Sequence, residues 1–207
     1  MVPCHTIWGL ALFLAHAYGA IIMGMFSAPE KNIEQLHLEE GNIVVDFGAG
    51  SGAYTFAAAK ALNGTGKVYA IDVQKELLTR LQNTCMAEHI SNVAFVWGDL
   101  EKLGGTKLHD NTCDIAIVSN VLFQAPEKKT IIEEARRILK PGGKLVIIDW
   151  TGSFNNMGPT PAQVFPEASA KNLALGSGFV FDSTLNAGNY HYGLVFRKGR
   201  NGAVAVR

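Results

Sequence analysis

Three carboxylates and one glycine-rich loop carry the chemistry open to this sequence. Asp46-Phe47-Gly48-Ala49-Gly50-Ser51-Gly52 stands where a buried, β-branched run, Ile43 to Phe47, gives way to an alanine-rich stretch of helical composition. Glycines at such a turn let the backbone bend tightly and approach a ligand, and the first N–H groups of the following helix are free to donate to it. Asp72 lies 20 positions beyond Gly52, closing the next strand-like run, Lys67 to Ile71. A carboxylate there accepts hydrogen bonds from both hydroxyls of a ribose. Gly98-Asp99 follows a third run, where the carboxylate can accept from the exocyclic amine of an adenine. Strand, loop, helix, strand and acid in this order point to an adenosine-like ligand lying across the strand ends. Tyr54, Val73 and Leu100, adjoining these motifs, complete the candidate contacts.

The identity of the nucleoside turns on Asp46. Gly48-x-Gly50-x-x-Ala53 satisfies a relaxed dinucleotide fingerprint, so an NAD(P)-dependent oxidoreductase is one alternative. A carboxylate two residues before the first glycine, however, repels a pyrophosphate and holds an amino group. S-adenosylmethionine (SAM) carries an amino acid where a dinucleotide carries its pyrophosphate. Methyl transfer from a sulfonium is an in-line displacement on an activated carbon, so the protein supplies mainly alignment and desolvation, and a general base is optional. Candidate acceptor contacts are Phe123, Trp150, Asn155, Asn156 and His191, with His191 as the candidate base beside Tyr190 or Tyr192. A non-catalytic SAM-binding module is the other alternative.

Positioning these groups requires a parallel sheet. Short β-branched runs alternate with helical patterns from residue 42 onward, the mark of βαβ units. Strands are expected at Ile43 to Phe47, Lys67 to Ile71, Val93 to Trp97, Cys113 to Ser119 and Lys144 to Trp150. Helices are expected at about Ser51 to Leu62, Gln74 to Glu88, Glu127 to Leu139 and Ala162 to Leu175. Leu77, Leu78, Leu81 and Cys85 form the apolar stripe of the second helix, and Ile131, Ile132, Ala135 and Ile138 that of the third, with Lys and Glu opposite. Pro141-Gly142-Gly143 should stop the third helix sharply. Phe179 to Leu185 and Tyr190 to Arg197 read as a closing antiparallel pair.

Composition bounds the partners. The 207 residues suffice for one core, and 18 Lys plus Arg balance 18 Asp plus Glu with no basic run, which argues against a nucleic-acid substrate. Cys4, Cys85 and Cys113 are odd in number and form no Cys-x-x-Cys, fitting a reducing, cytoplasmic setting. The histidines show no ligand spacing, so no metal is expected. Residues 1–28 separate from the domain at 29–207 because Ile7 to Phe26 holds no charge and is long enough to span a bilayer. Membrane association through residues 7–26, a helix packed on the domain or a partner, and a cleaved signal or mis-called start are the three readings of this segment, and the oligomeric state is not legible.

VVDFGAGSG, AID with Asp72, WGDL and RILKPGGKLVIIDW stand in the order and spacing of class I SAM-dependent methyltransferases, which residues 30 to 198 resemble. The segment Ala135 to Asp149 is most similar to the UbiE-like, small-molecule branch. The resemblance implies an α/β, Rossmann-like, seven-stranded, mostly parallel sheet of order 3-2-1-4-5-7-6 with strand seven antiparallel and helices on both faces. It further implies SAM as cofactor, with contacts at Asp46, Gly48, Gly50, Asp72, Asp99 and Asn120. The segment Ser119-Asn120-Val121-Leu122 lacks the Asn/Asp-Pro-Pro-aromatic tetrad of DNA amino-methyltransferases, again disfavouring nucleic acid.

Overall fold

Alternation of apolar runs with amphipathic ones produces a seven-stranded sheet of order β3-β2-β1-β4-β5-β7-β6 in the computed structural model, which describes residues 28–154 and 158–199. The strands are β1 (Ile43–Phe47), β2 (Lys67–Asp72), β3 (Val93–Trp97), β4 (Cys113–Ser119), β5 (Leu139–Trp150), β6 (Phe179–Thr184) and β7 (His191–Lys198). The helices are α1 (Pro29–Glu34), α2 (Ala53–Ala61), α3 (Lys75–Ala87), α4 (Lys128–Ile138) and α5 (Glu167–Gly176). The first five strands run parallel, and β7 is antiparallel to both β5 and β6. The architecture is the one that the sequence motifs imply. Cys4, residues 7–26, Asn155 and Asn156 lie outside the described residues.

Both faces of the sheet are covered, as side chains of period two on buried strands require. Val45, Phe47, Val118 and Ile147 pack with Ile131, Ile132, Ala135 and Ile138 of α4 and Ala170 and Ala174 of α5. Val44, Ile115, Ile117, Val146 and Ile148 pack on the other side with Ile33 of α1 and Tyr54, Ala57 and Ala58 of α2. Among the described residues no helix is long and apolar enough to cross a membrane.

Three expectations are corrected. β5 begins at Leu139 rather than Lys144: Leu139 already pairs with Cys113, and the register then shifts so that Ile115 meets Lys144. Pro141-Gly142-Gly143, with Gly142 at φ +82°, therefore bulges a strand instead of separating two elements. α5 starts at Glu167 rather than about Ala162, because Pro166 sits at its N-cap in an extended conformation. Helix α1, absent from the sequence reading, is short and opens on Pro29, whose fixed φ suits a first helical turn.

The glycine loop is built by β2 as much as by its own residues. The N–H groups of Gly48 and Ala49 both donate to the carbonyl of Ile71, at 2.9 Å each. Gly52 sits at φ +86°, and a Cβ there would lie 2.1 Å from Leu81 Cδ1 of α3. Its lack of a side chain lets α2 and α3 close together behind the loop.

Candidate active site

Strand ends converge on a cavity of about 880 Å³, toward the top of the roughly 300 to 1,000 Å³ usual for small-molecule sites. Asp46, Gly48, Ala49, Gly50 and Ser51 line it after β1, Asp72 and Val73 after β2, and Asp99 and Leu100 after β3. Asn120 follows from β4, Trp150 from β5, His191 from β7 and Tyr54 from α2. The sequence-expected set thus meets in one place, apart from a few members. Gly52 serves helix packing, as described above. A Cβ on Gly98 would lie 2.4 Å from the carbonyl oxygen of Gly105, so this glycine folds the loop after β3 and does not line the cavity.

Asp72 is nearly buried, and its two oxygens accept from the N–H of Gly50 and of Gln74, at 2.9 Å each. It fixes the glycine loop and retains lone pairs open to further donors. Asp46, also buried, accepts from Thr55 Oγ1 at 2.6 Å. Burial pushes its carboxyl up to about 6, with the Thr55 hydrogen bond opposing and the Asp72 charge adding to the rise. Asp99 is held below the usual carboxylate range, first by Lys102 Nζ at 2.9 Å and further by the Glu101 N–H at 3.1 Å. It remains an ionised, acceptor-only group.

Strand register explains the other half of the cavity. Asp46 pairs with Ile117, Ser119 with Ile148 and Trp150 with His191. Alternation then puts Asp46, Ser119, Trp150 and His191 on the face covered by α1 and α2, stepping across the sheet toward β7. His191 Nε2 is 3.0 Å from Asn120 Oδ1, and its ring centroid is 4.3 Å from that of Trp150. The amide oxygen accepts from Nε2, and Nδ1 lies on the buried side of the ring. Asn120 itself adopts φ +57°, and its N–H donates to Ile148 O at the end of β4. Ser119 lines the cavity, while its Oγ is buried and has no hydrogen-bond partner among the described residues.

Three aromatic candidates are elsewhere. The Phe123 N–H donates at 3.0 Å to Asp149, a fully buried carboxylate that burial pushes up to about 6, and Phe123 does not line the cavity. Tyr192 points to the opposite face from His191 and donates to Phe165 O at 3.0 Å. Tyr190 packs edge-on against Phe154, at 4.7 Å between centroids. Sequence reasoning missed Pro29, Gln74, Leu77, Glu101, Gln124 and Ile131 as cavity walls. Only Leu77 and Ile131 carried a signal, as members of amphipathic stripes.

These groups fit SAM on chemical grounds. Two acidic acceptors suit the ribose and adenine, the carboxylate of Asp46 suits an amino group, and Gly48, whose Cβ would lie 2.7 Å from Val121 Cγ2, keeps the loop low. A family model described as a methyltransferase domain matches residues 38–190. An arsenite methyltransferase of Aquipseudomonas alcaligenes is 32% identical over 54% of this chain and 34% of its own length. A ubiquinone/menaquinone biosynthesis C-methyltransferase, UbiE, of Ectopseudomonas mendocina is 28% identical over 77% of this chain and 59% of its own length. The chain thus spans less than two thirds of either relative. The crystal structure of a SAM-dependent methyltransferase from Aquifex aeolicus superposes with a TM-score of 0.77 at 29% identity, over 85% of this chain and 92% of that one. Glycine loop, acidic acceptors, sheet order and these matches agree that the chain belongs to the class I SAM-dependent methyltransferases.

Proposed function

We propose that the chain transfers a methyl group from SAM to a small, largely apolar acceptor held near Val121, Ile131 and Trp150. The observation that carries this reading is the row Asp46, Ser119, Trp150, His191. The wall that suits an amino acid leads on to one with an indole and an imidazole. SAM would supply an electrophilic methyl group there. Asp72 and Asp99 would hold the nucleoside, Asp46 the amino group, and the apolar walls would exclude water from the reacting pair.

His191 is the candidate proton acceptor, with Asn120 orienting the ring. Because the donor carbon is already activated, its loss costs less than loss of a base in acyl transfer. His191→Ala is expected to lower kcat about tenfold, below the usual range for general bases; an unchanged kcat removes the base and leaves His191 as a wall.

Of the acceptors named by the relatives, a quinone-type molecule suits this site better than arsenite. Among the described residues no cysteine lines the cavity, burial pushes the thiols of Cys85 and Cys113 up, that of Cys113 to about 12, and thiophilic metalloids favour thiolates. Membrane association through residues 7–26 would suit a lipid-soluble acceptor, and the two free thiols suit a reducing compartment. The test incubates the chain with methyl-labelled SAM and separate lipid and water-soluble extracts. Label should enter the lipid fraction. Tight S-adenosylhomocysteine binding without any methylated product would establish the non-catalytic alternative.

A further inference from the structure

The β3–β4 loop, residues 98–112, has no helix or strand of its own, yet it carries the Asp99 and Leu100 walls of the cavity. Something outside the loop must give it one shape. That support is α4. The Glu134 carboxylate, fully buried, accepts from the N–H of Gly104 at 2.8 Å, the N–H of Thr106 at 3.1 Å and the hydroxyl of Thr106 at 2.5 Å. Arg137 donates to both oxygens of Glu134, at 2.8 and 2.7 Å, and to Asp110 at 2.7 Å. At the other end of α4 the Glu127 N–H donates to Glu101. Within the loop, Gly98 and Gly105 touch backbone to backbone, so a shift at Gly104 or Thr106 passes directly to the residue before Asp99.

A buried carboxylate with five donors is expensive to assemble and is tolerated only where fully satisfied. No part of Glu134 reaches the cavity. We propose that Glu134 is a positioning residue that sets the base specificity of the cofactor end, by locking the β3–β4 loop so that Asp99 meets the amino edge of adenine. This inference rests on the reading of Asp99 as the adenine acceptor. Its chemistry is simple: an amine at that edge donates to the Asp99 carboxylate, whereas a carbonyl oxygen presents a second acceptor and is repelled. Only a well-placed Asp99 can tell the two apart.

The test titrates the full chain with S-adenosylhomocysteine and with S-inosylhomocysteine, in which a carbonyl oxygen replaces the exocyclic amine. The parent should prefer the adenosyl compound about tenfold or more, the smaller effect of a hydrogen bond to a charged group. Glu134→Ala should reduce that preference to less than about threefold by weakening the adenosyl compound alone. Thermal melting establishes that the variant is folded. Thr106→Val and Glu134→Gln, which each remove part of the network, stand in if it is not, and should narrow the preference partway. Equal weakening of both compounds, or a full preference retained by folded variants, would show a merely structural role and overturn the inference. A parent that does not discriminate overturns the Asp99 reading instead, so the two failures are distinct.

Discussion

Asp72→Ala is expected to weaken binding of S-adenosylhomocysteine about a hundredfold or more, the upper end of what a hydrogen-bonded charge contributes. The side chain does two jobs at once. Its oxygens already tie the glycine loop at Gly50 and the start of α3 at Gln74. A carboxylate has about four acceptor positions, so two remain for the ribose hydroxyls. Alanine removes the ribose partner and frees Gly50, which sits at φ +53°. Because the two losses share one carboxylate, they are not additive, and a single measured ratio is the meaningful quantity. Asp72→Asn separates them: its amide oxygen can still accept one backbone N–H, so the loop is partly held while the charge is gone. Calorimetry should rank parent, Asn and Ala in that order. Affinity of the alanine variant within threefold of the parent would place the ribose elsewhere than at the end of β2.

The order in which the sequence surrendered its structure has a physical cause. Asp46, Asp72 and Asp99 were legible because each follows a short, almost wholly apolar run, and buried parallel strands bring the ends of such runs to one edge of the sheet. His191 and Trp150 were legible as strand-end residues, but their adjacency depended on the antiparallel register of β5 with β7, which single-strand patterns do not encode. Tyr192 shows the penalty of ignoring period two: one position from His191, it faces the opposite layer. The helical pattern puts Glu134 on the polar side of α4, yet the residue is fully buried. Nothing in α4 announces this, since the burial is imposed by a loop arriving from residues 98–112. Pro29 and α1 escaped because six residues are too few for a periodic signal, and their placement comes from tertiary contacts. One is the Asn32 to Tyr54 hydrogen bond of 2.7 Å.

Asp46 offers a test in which binding and stability move in opposite directions. Its carboxyl, pushed up to about 6, binds a proton more readily in the folded chain than in the unfolded one, whose value is near 3.8. The folded state therefore loses stability as pH rises from about 4 to about 6, by roughly 3 kcal/mol once ionisation is complete. An ammonium group placed beside the carboxylate reverses that penalty, which is why the residue suits the amino end of SAM. Asp46→Asn retains an oxygen to accept from Thr55 and removes the charge. The free variant should melt higher than the parent at pH 7.5 and yet bind SAM about thirtyfold more weakly, within the range for a charge-assisted hydrogen bond. SAM affinity of the parent should fall about tenfold between pH 7 and pH 5 as Asp46 takes up its proton, whereas that of the variant should stay nearly flat. The comparison ligand is 5′-methylthioadenosine, which lacks the amino acid. It should bind parent and variant alike at pH 7.5. Equal loss of both ligands would mean that Asp46 only shapes the glycine loop, and the amino group would then have to be held by another part of the cavity.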